Sequence, residues 1–252
     1  MFNETVIELD KKTTLNFINI EYYSEDVLKV IKKDICKIWN GDNEEDDFPT
    51  VKIELQDWFK NKKDDRLIYG FVSEFICHLY LRNKNHEQHF LFRNLEEKGP
   101  KKGFDGLYLN ENEFWIYESK STLPNTLSNH NENISLSYND VKKKIEGENT
   151  TNNPWKNAII HANNYSINRN KSLVENIKSY SKDYVNKVYH NISNFNIIPS
   201  STIYMYDKWE LIDVDDLKKK IELLVKKYNA RKINVICINK KSIEDFLKFI
   251  NE

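Results

Sequence analysis

Two carboxylates and a lysine occupy comparable places in two short apolar segments of this chain. Asp105 is the second residue of Phe104–Leu109 (FDGLYL). Glu118 lies near the end of Glu113–Ser119 (EFWIYES), and Lys120 directly follows that segment. Carboxylate oxygens are the ligands that hard cations such as Mg²⁺ and Mn²⁺ prefer. A lysine ammonium beside them can stabilise negative charge that builds on a phosphate. These residue types indicate metal-assisted hydrolysis of a phosphodiester bond.

The spacing of the two segments predicts a β-hairpin that brings the acids together. Both segments have strand composition, and the polar residues Asn110–Asn112 separate them. If the turn centres between Glu111 and Asn112, Asp105 pairs directly with Glu118, because both are equally far from the turn. Paired residues share one face, with Cβ atoms about 4.5–5.5 Å apart. An odd-numbered turn would place the two acids on opposite faces.

Paired carboxylates repel each other unless a cation or a proton lies between them. We therefore predict a Mg²⁺ cofactor, with Mn²⁺ as the alternative, bound by Asp105, Glu118 and the backbone carbonyl of Ser119. Lys120 shares the face of Glu118, because side chains two apart in a strand point the same way. Its expected role is to orient the attacking water or to stabilise the phosphorane. The glycines nearest Asp105 are expected to let a phosphate backbone approach closely.

The same residues also have a plainer interpretation. Asp105 suits a turn between glycines, and Glu118 with Lys120 suits an exposed ion pair at a strand end. In a chain this rich in both residue types, roughly two Glu-x-Lys spacings would arise by chance. The equal distances of the two acids from the turn are what favour a site.

A helix predicted over Asp65–Leu81 precedes the hairpin and has apolar residues on nearly all sides, which is typical of a central, buried helix. Glu74 lies within it. We expect this acid to assist the metal site directly or through water, with a side chain that merely reaches solvent as the alternative.

Apolar periodicity predicts the remaining elements and a mixed-sheet α/β fold flanked by helices. We expect an N-terminal elaboration over residues 1–60, packed on a catalytic domain over 61–252. The stretch from about 121 to 153 is rich in Ser, Asn and Thr and predicts a long mobile loop with one short helix around Ser137–Ile145. The other expected elements are a helix over 27–39, an acidic loop over 41–49, a strand over 89–93, helices starting near 155 and 173, a strand over 200–206, a helix over 214–228, a strand over 233–239 and a helix over 242–250.

The composition restricts the class of protein. The net charge is −1 and 39% of residues are hydrophobic, so a folded core is expected and any nucleic-acid affinity must come from local basic patches. Three widely spaced cysteines form no zinc motif, and Cys77 and Cys237 lie in apolar runs typical of buried thiols. No signal peptide and no membrane span are expected, which favours a cytoplasmic protein.

An acid on a buried helix, then Asp, then Glu-x-Lys on the following strand resembles the PD-(D/E)xK nuclease superfamily. The matching residues are Glu74, Asp105, Glu118 and Lys120, within residues 66–206. The Gly-Phe-Asp-Gly and Glu-Ser-Lys forms of the motifs look most like the HamA-like nuclease subunit of the Hachiman anti-phage system. The superfamily's proline is replaced by Phe104.

The resemblance implies a restriction-endonuclease-like core and a Mg²⁺-dependent deoxyribonuclease that a partner helicase holds in check until phage infection. Two alternatives stay open. One is a non-catalytic nucleic-acid-binding or assembly subunit that keeps the nuclease fold. The other is a restriction or repair nuclease of the same superfamily, although no separate target-recognition domain is evident in the sequence.

Overall fold

The computed structural model describes residues 2–41, 47–92, 103–124, 126, 128–148, 152–164 and 170–252. Within these residues the chain is an α/β protein with a seven-stranded mixed sheet flanked by eight helices. The strands are β1 (Asn3–Glu8), β2 (Thr13–Ile20), β3 (Glu87–Gln88), β4 (Gly106–Asn110), β5 (Glu113–Thr122), β6 (Asn196–Tyr204) and β7 (Lys232–Lys240). The helices are α1 (Glu25–Asn40), α2 (Phe48–Lys60), α3 (Asp65–Asn83), α4 (His130–Ile145), α5 (Pro154–Asn164), α6 (Lys171–Val185), α7 (Val214–Val225) and α8 (Glu244–Asn251).

The strand order is β1-β2-β7-β6-β5-β4-β3. The four central strands β2, β7, β6 and β5 run parallel, while β1 at one edge and β4 and β3 at the other are antiparallel to their neighbours. Parallel strands are normally buried on both faces. In agreement, β6 and β7 are buried along nearly their whole length.

Helices cover both faces of the sheet and create two apolar cores. Helices α1, α2, α3 and α8 pack on one face, which we call the α3 face, and α4, α5, α6 and α7 pack on the other, the α4 face. Successive strand residues alternate between them. Tyr117 of β5 belongs to the core of the α3 face and Ile116 to that of the α4 face. Glu118 therefore points toward α4.

Most elements predicted from apolar spacing are present: α1, α3, β4, β5, α5, α6, β6, α7, β7 and α8 lie within a few residues of their expected positions. The prediction gave no strands to the first sixty residues, yet β1 and β2 belong to the central sheet. Of the expected acidic loop, residues 42–46 lie outside the described residues, and α2 begins at Phe48 after an Asp47 cap.

The strand expected over 89–93 is wrong within the described residues, since β3 covers only Glu87–Gln88 and the chain then leaves the sheet. The amide of Leu91 donates to the ring of His161 at 3.1 Å, and the amide of Phe92 donates to the Ile38 carbonyl at 3.2 Å. These partners satisfy the buried backbone without a neighbouring strand. Arg93 lies outside the described residues.

The long loop expected after β5 is wrong where α4 occupies sixteen of its residues, and the short helix expected within it is present but begins earlier, at His130. The helix begins with a capping box, in which Asn129 accepts from the Glu132 amide and Glu132 accepts from the Asn129 amide. Its buried apolar residues Ile134, Tyr138, Val141 and Ile145 recur at helical spacing, whereas the buried residues of its first turn, His130 and Asn133, are polar and bond to the strands.

None of the described helices has the length and apolar character needed to cross a bilayer. Cys77 and Cys237 are buried, as predicted, and burial raises the pKa of the Cys77 thiol to about 11.

Candidate active site

The β4–β5 hairpin has the register that the sequence predicted. Glu111 and Asn112 form its two-residue turn, with φ angles of 50° and 61°, as a type I′ turn requires. Gly106 pairs with Tyr117. The ladder ends at that pair and does not include the predicted pair of Asp105 with Glu118. Asp105 directly precedes β4 and donates its backbone amide to the Tyr117 carbonyl at 3.1 Å.

The side chain of Asp105 is half-buried and bonds to the opposite strand. Its Oδ2 atom accepts a hydrogen bond from the backbone amide of Ser119 at 2.8 Å. This contact fixes the Asp105 carboxylate next to Glu118. Ser119 thus supplies a backbone donor to the site, and the role predicted for its carbonyl stays a prediction.

Glu118 is the buried centre of the site. Its side chain is 4% exposed, and its carboxylate accepts from the ammonium groups of Lys120 at 3.2 Å and Lys144 at 2.7 and 2.8 Å. Burial raises the pKa of Glu118, and the charge of Asp105 raises it further, against the lowering effect of the two lysines. The alternative of an exposed strand-end ion pair is wrong for Glu118.

Lys120 connects Glu118 to helix α4. Its Nζ atom lies 3.2 Å from Glu118 Oε1 and 2.7 Å from Asp140 Oδ2. Burial by itself would lower the pKa of Lys120, but Glu118, Asp105 and Asp140 outweigh it and raise that pKa above its ordinary value. Lys120 is therefore a fixed cation at neutral pH, suited to stabilising an anion and not to accepting a proton.

Helix α4 contributes three residues to the site that sequence reasoning missed. Ser137, Asp140 and Lys144 recur at helical spacing on one face. The Ser137 hydroxyl donates to the Glu118 carbonyl at 2.7 Å, while Asp140 binds Lys120 and Lys144 binds the Glu118 carboxylate. All three lie in the short helix that the sequence predicted around Ser137–Ile145, but the sequence gave no indication that this helix packs against Glu118.

The N-terminal end of α4 is fixed to the sheet by a buried polar network. His130 lies between Ser201 Oγ, 2.8 Å from Nδ1, and Asn239 Oδ1, 2.9 Å from Nε2. Asn133 donates to Ser201 at 3.1 Å and to Thr122 at 2.8 Å. These contacts hold α4 across β5, β6 and β7, and so fix the helix that positions Asp140 and Lys144.

Glu74 belongs to α3, which packs on the face of the sheet opposite to α4. It is half-buried on α3, and its charge raises the pKa values of Cys77, Tyr108 and Tyr117, which all lie on the α3 face. The Cys77 thiol is also influenced by Asp105. A catalytic role for Glu74 stays a prediction.

The glycines beside Asp105 are packed against protein atoms. A Cβ atom at Gly106 would lie 3.1 Å from the ring of Tyr117 and 3.2 Å from that of His78. One at Gly103 would lie 3.3 Å from both Asn157 and the Pro154 carbonyl. Close packing of the hairpin against α3 and α5 explains these glycines, so the expectation that they make room for a phosphate backbone is wrong.

The donor set restricts the metals that the site can bind. Among the described residues, no group of three or more His, Cys, Asp and Glu side chains is arranged to hold a metal ion. The adjacent carboxylates of Asp105 and Glu118 fit Mg²⁺ or Mn²⁺, since Mg²⁺ is commonly held by one or two carboxylates and completes its shell with water and substrate phosphate. A zinc-type site of several nitrogen or sulfur ligands has no counterpart in this donor set.

Compared with known proteins, the chain matches no protein-family model and no curated protein.

Proposed function

We propose that this protein is a metal-dependent nuclease that hydrolyses phosphodiester bonds of DNA. The observation that carries the proposal is the contact of the Asp105 carboxylate with the Ser119 amide, next to a buried Glu118 whose carboxylate contacts Lys120. Burying several charges in one place is energetically costly. Such clusters with perturbed pKa values are found preferentially at functional sites.

Each residue of the proposed site would have a separate role in phosphodiester hydrolysis. Asp105 and Glu118 would hold Mg²⁺ or Mn²⁺, which when bound lowers the pKa of water and draws charge from the phosphate. Lys120 is held as an ammonium and supplies positive charge where the phosphorane becomes more negative. Asp140 positions Lys120, since it is the closer of the two carboxylates that contact it. Glu74 would assist from α3.

The proposed fold family and biological system rest on the resemblance of the motifs to those of the PD-(D/E)xK nucleases. We propose that β4, β5 and β6 with α3 and α4 form a PD-(D/E)xK restriction-endonuclease-like core. We further propose that the chain is the DNA-cleaving effector of a Hachiman-type anti-phage system and works with a partner helicase.

One observation favours a second candidate, a non-catalytic nucleic-acid-binding subunit that retains the fold. Both oxygens of Glu118 are bound by Lys144, as they would be in a purely structural ion pair. The two candidates differ in a simple respect: the binding subunit would retain DNA without cutting it at any Mg²⁺ concentration.

The test is a cleavage assay of the purified chain with Mg²⁺ or Mn²⁺, with and without co-purifying partners. Linear duplex, circular duplex and single-stranded DNA and RNA serve as substrates. We expect DNA cleavage by the wild type and by the exposed-site control Lys143→Gln, and none by Glu118→Gln. Equal cleavage by Glu118→Gln would contradict the proposal, as would the absence of cleavage from every substrate in the presence of partners.

A further inference from the structure

Lys144 contacts the carboxylate of Glu118 more closely than Lys120 does. Its Nζ atom is 2.8 Å from Oε1 and 2.7 Å from Oε2, whereas Lys120 reaches only Oε1, at 3.2 Å. Lys120 has a closer partner in Asp140, at 2.7 Å. Lys144 is therefore the principal cation on Glu118.

The position of Lys144 is supported by more than this ion pair. Its side chain is 20% exposed, and its ammonium lies over the ring of Phe104, 6.0 Å from the centroid, within the range of a cation–π contact. Phe104 directly precedes Asp105 in the chain. The ammonium thus lies at the side of the hairpin where the two carboxylates meet.

We infer that Lys144 is an internal cation that a divalent metal must displace before it can bind Glu118. This inference rests on the proposed function, because it assumes that Asp105 and Glu118 bind the metal. An ammonium and a divalent ion cannot both occupy the short contact with the same two carboxylate oxygens, because their charges repel. Lys120 can stay in place, since Asp140 holds it independently of Glu118.

Displacement of the Lys144 ammonium by a metal changes the surroundings of both Lys144 and Glu118. Without metal, Lys144 neutralises a carboxylate that would otherwise be buried beside a second negative charge. With metal, its ammonium is released at the C-terminal end of α4, next to two other lysines. Lys144 therefore weakens metal binding and restricts loading to sufficient metal concentrations.

The test measures metal affinity and not cleavage. Mn²⁺ is titrated by calorimetry into the purified full-length wild type and into Lys144→Gln, with Lys143→Gln as the matched exposed control and Glu118→Gln as the site-deficient control. We expect Lys144→Gln to bind Mn²⁺ at least about tenfold more tightly than the wild type, because one unit of opposing charge is removed. Lys143→Gln should match the wild type and Glu118→Gln should lose the binding.

A second variant, Lys144→Arg, separates the effect of the charge from the effect of replacing the side chain. Lys144→Arg keeps the positive charge and the contact with Glu118, so its Mn²⁺ affinity should stay within about threefold of the wild type. Circular dichroism and thermal unfolding establish that each variant is folded. The inference requires that Lys144→Gln binds Mn²⁺ more tightly than the wild type and that Lys144→Arg does not.

Two outcomes overturn the inference and are distinguishable. If Glu118-dependent binding is seen but Lys144→Gln binds no more tightly than the wild type, Lys144 does not compete and the proposed nuclease site stands. If no protein binds Mn²⁺ through Glu118, the metal site of the proposed function fails together with this inference.

Discussion

The buried imidazole of His130 should make the attachment of α4 sensitive to acid. Asn239 Oδ1 can only accept a hydrogen bond, so the proton of the neutral ring is on Nε2, and Nδ1 accepts from the Ser201 hydroxyl. A second proton would place a charge in a buried site. Burial lowers the pKa of His130 from its ordinary 6.5 to about 4.

The size of the effect follows from this shift. Because the pKa of His130 is lower in the folded protein, the unfolded chain takes up the proton first. The stabilising contribution is complete above about pH 6.5 and is lost as the pH falls to about 4. A shift of about 2.5 units corresponds to about 3 kcal/mol in the free energy of unfolding, of which about 2 kcal/mol is lost between about pH 7 and pH 5.

The assay is urea unfolding of the wild type and of His130→Gln at several pH values between these limits. Glutamine can still form hydrogen bonds but does not titrate. The variant should be less stable at neutral pH, and its deficit should shrink by about 2 kcal/mol as the pH falls to about 5. If the two stability profiles run parallel, His130 is not a buried neutral histidine and the reasoning is refuted.

Three further substitutions test the packing and the buried charges. Ser137→Ala should lower the free energy of unfolding by about 1–2 kcal/mol, because it leaves the Glu118 carbonyl without its hydroxyl donor; an unchanged urea midpoint would count against this contact. Gly106→Ala should cost about 1–3 kcal/mol, since the new methyl group would lie 3.2 Å from the ring of His78, and thermal unfolding should show the loss. Lys240 has no hydrogen-bond partner for its Nζ atom in the described part of the chain, and burial lowers its pKa to about 8. Lys240→Met should therefore gain about 3 kcal/mol more relative to the wild type at pH 7 than at about pH 10.5, where the lysine is already neutral in the folded protein and about half neutral in the unfolded chain; a gain independent of pH would contradict it.

The sequence was sufficient for the hairpin because its information is local. A two-residue turn at Glu111 and Asn112 sets the register, and the register decides whether Asp105 and Glu118 share a face. Neither step depends on distant parts of the chain. The register as far as Gly106 and Tyr117 could therefore be predicted. The expected pair of Asp105 with Glu118 lies beyond its end, and the burial of Glu118 depends on elements far away in the sequence.

Helix α4 could not be predicted in full because its contacts with the sheet are polar and long-range. His130 and Asn133 bond to Ser201, about 70 residues away, and His130 also bonds to Asn239. Such residues resemble a loop in a sequence that is scanned for apolar periodicity. The part of α4 before Ser137 was missed for this reason, while Asp140 and Lys144 lie in the part that was expected to be helical.

The strands at the N-terminus were missed for a different reason. β2 pairs in parallel with β7, more than 200 residues away, and six of its eight residues are buried. A central parallel strand is covered on both faces and lacks the alternation of a half-exposed one. Its apolar and polar residues therefore gave no period-two signal.

The central claim is that Asp105, Glu118 and Lys120 together cleave DNA, and a single-turnover measurement tests it most directly. The cleavage rate of a DNA substrate at saturating Mg²⁺ is compared for the wild type, Lys120→Met and the control Lys143→Met, each shown to be folded. We predict that Lys120→Met loses at least about 10²-fold in rate, because the cation beside the reacting phosphate is removed, while the control cleaves like the wild type. Cleavage by Lys120→Met at the wild-type rate would contradict the account.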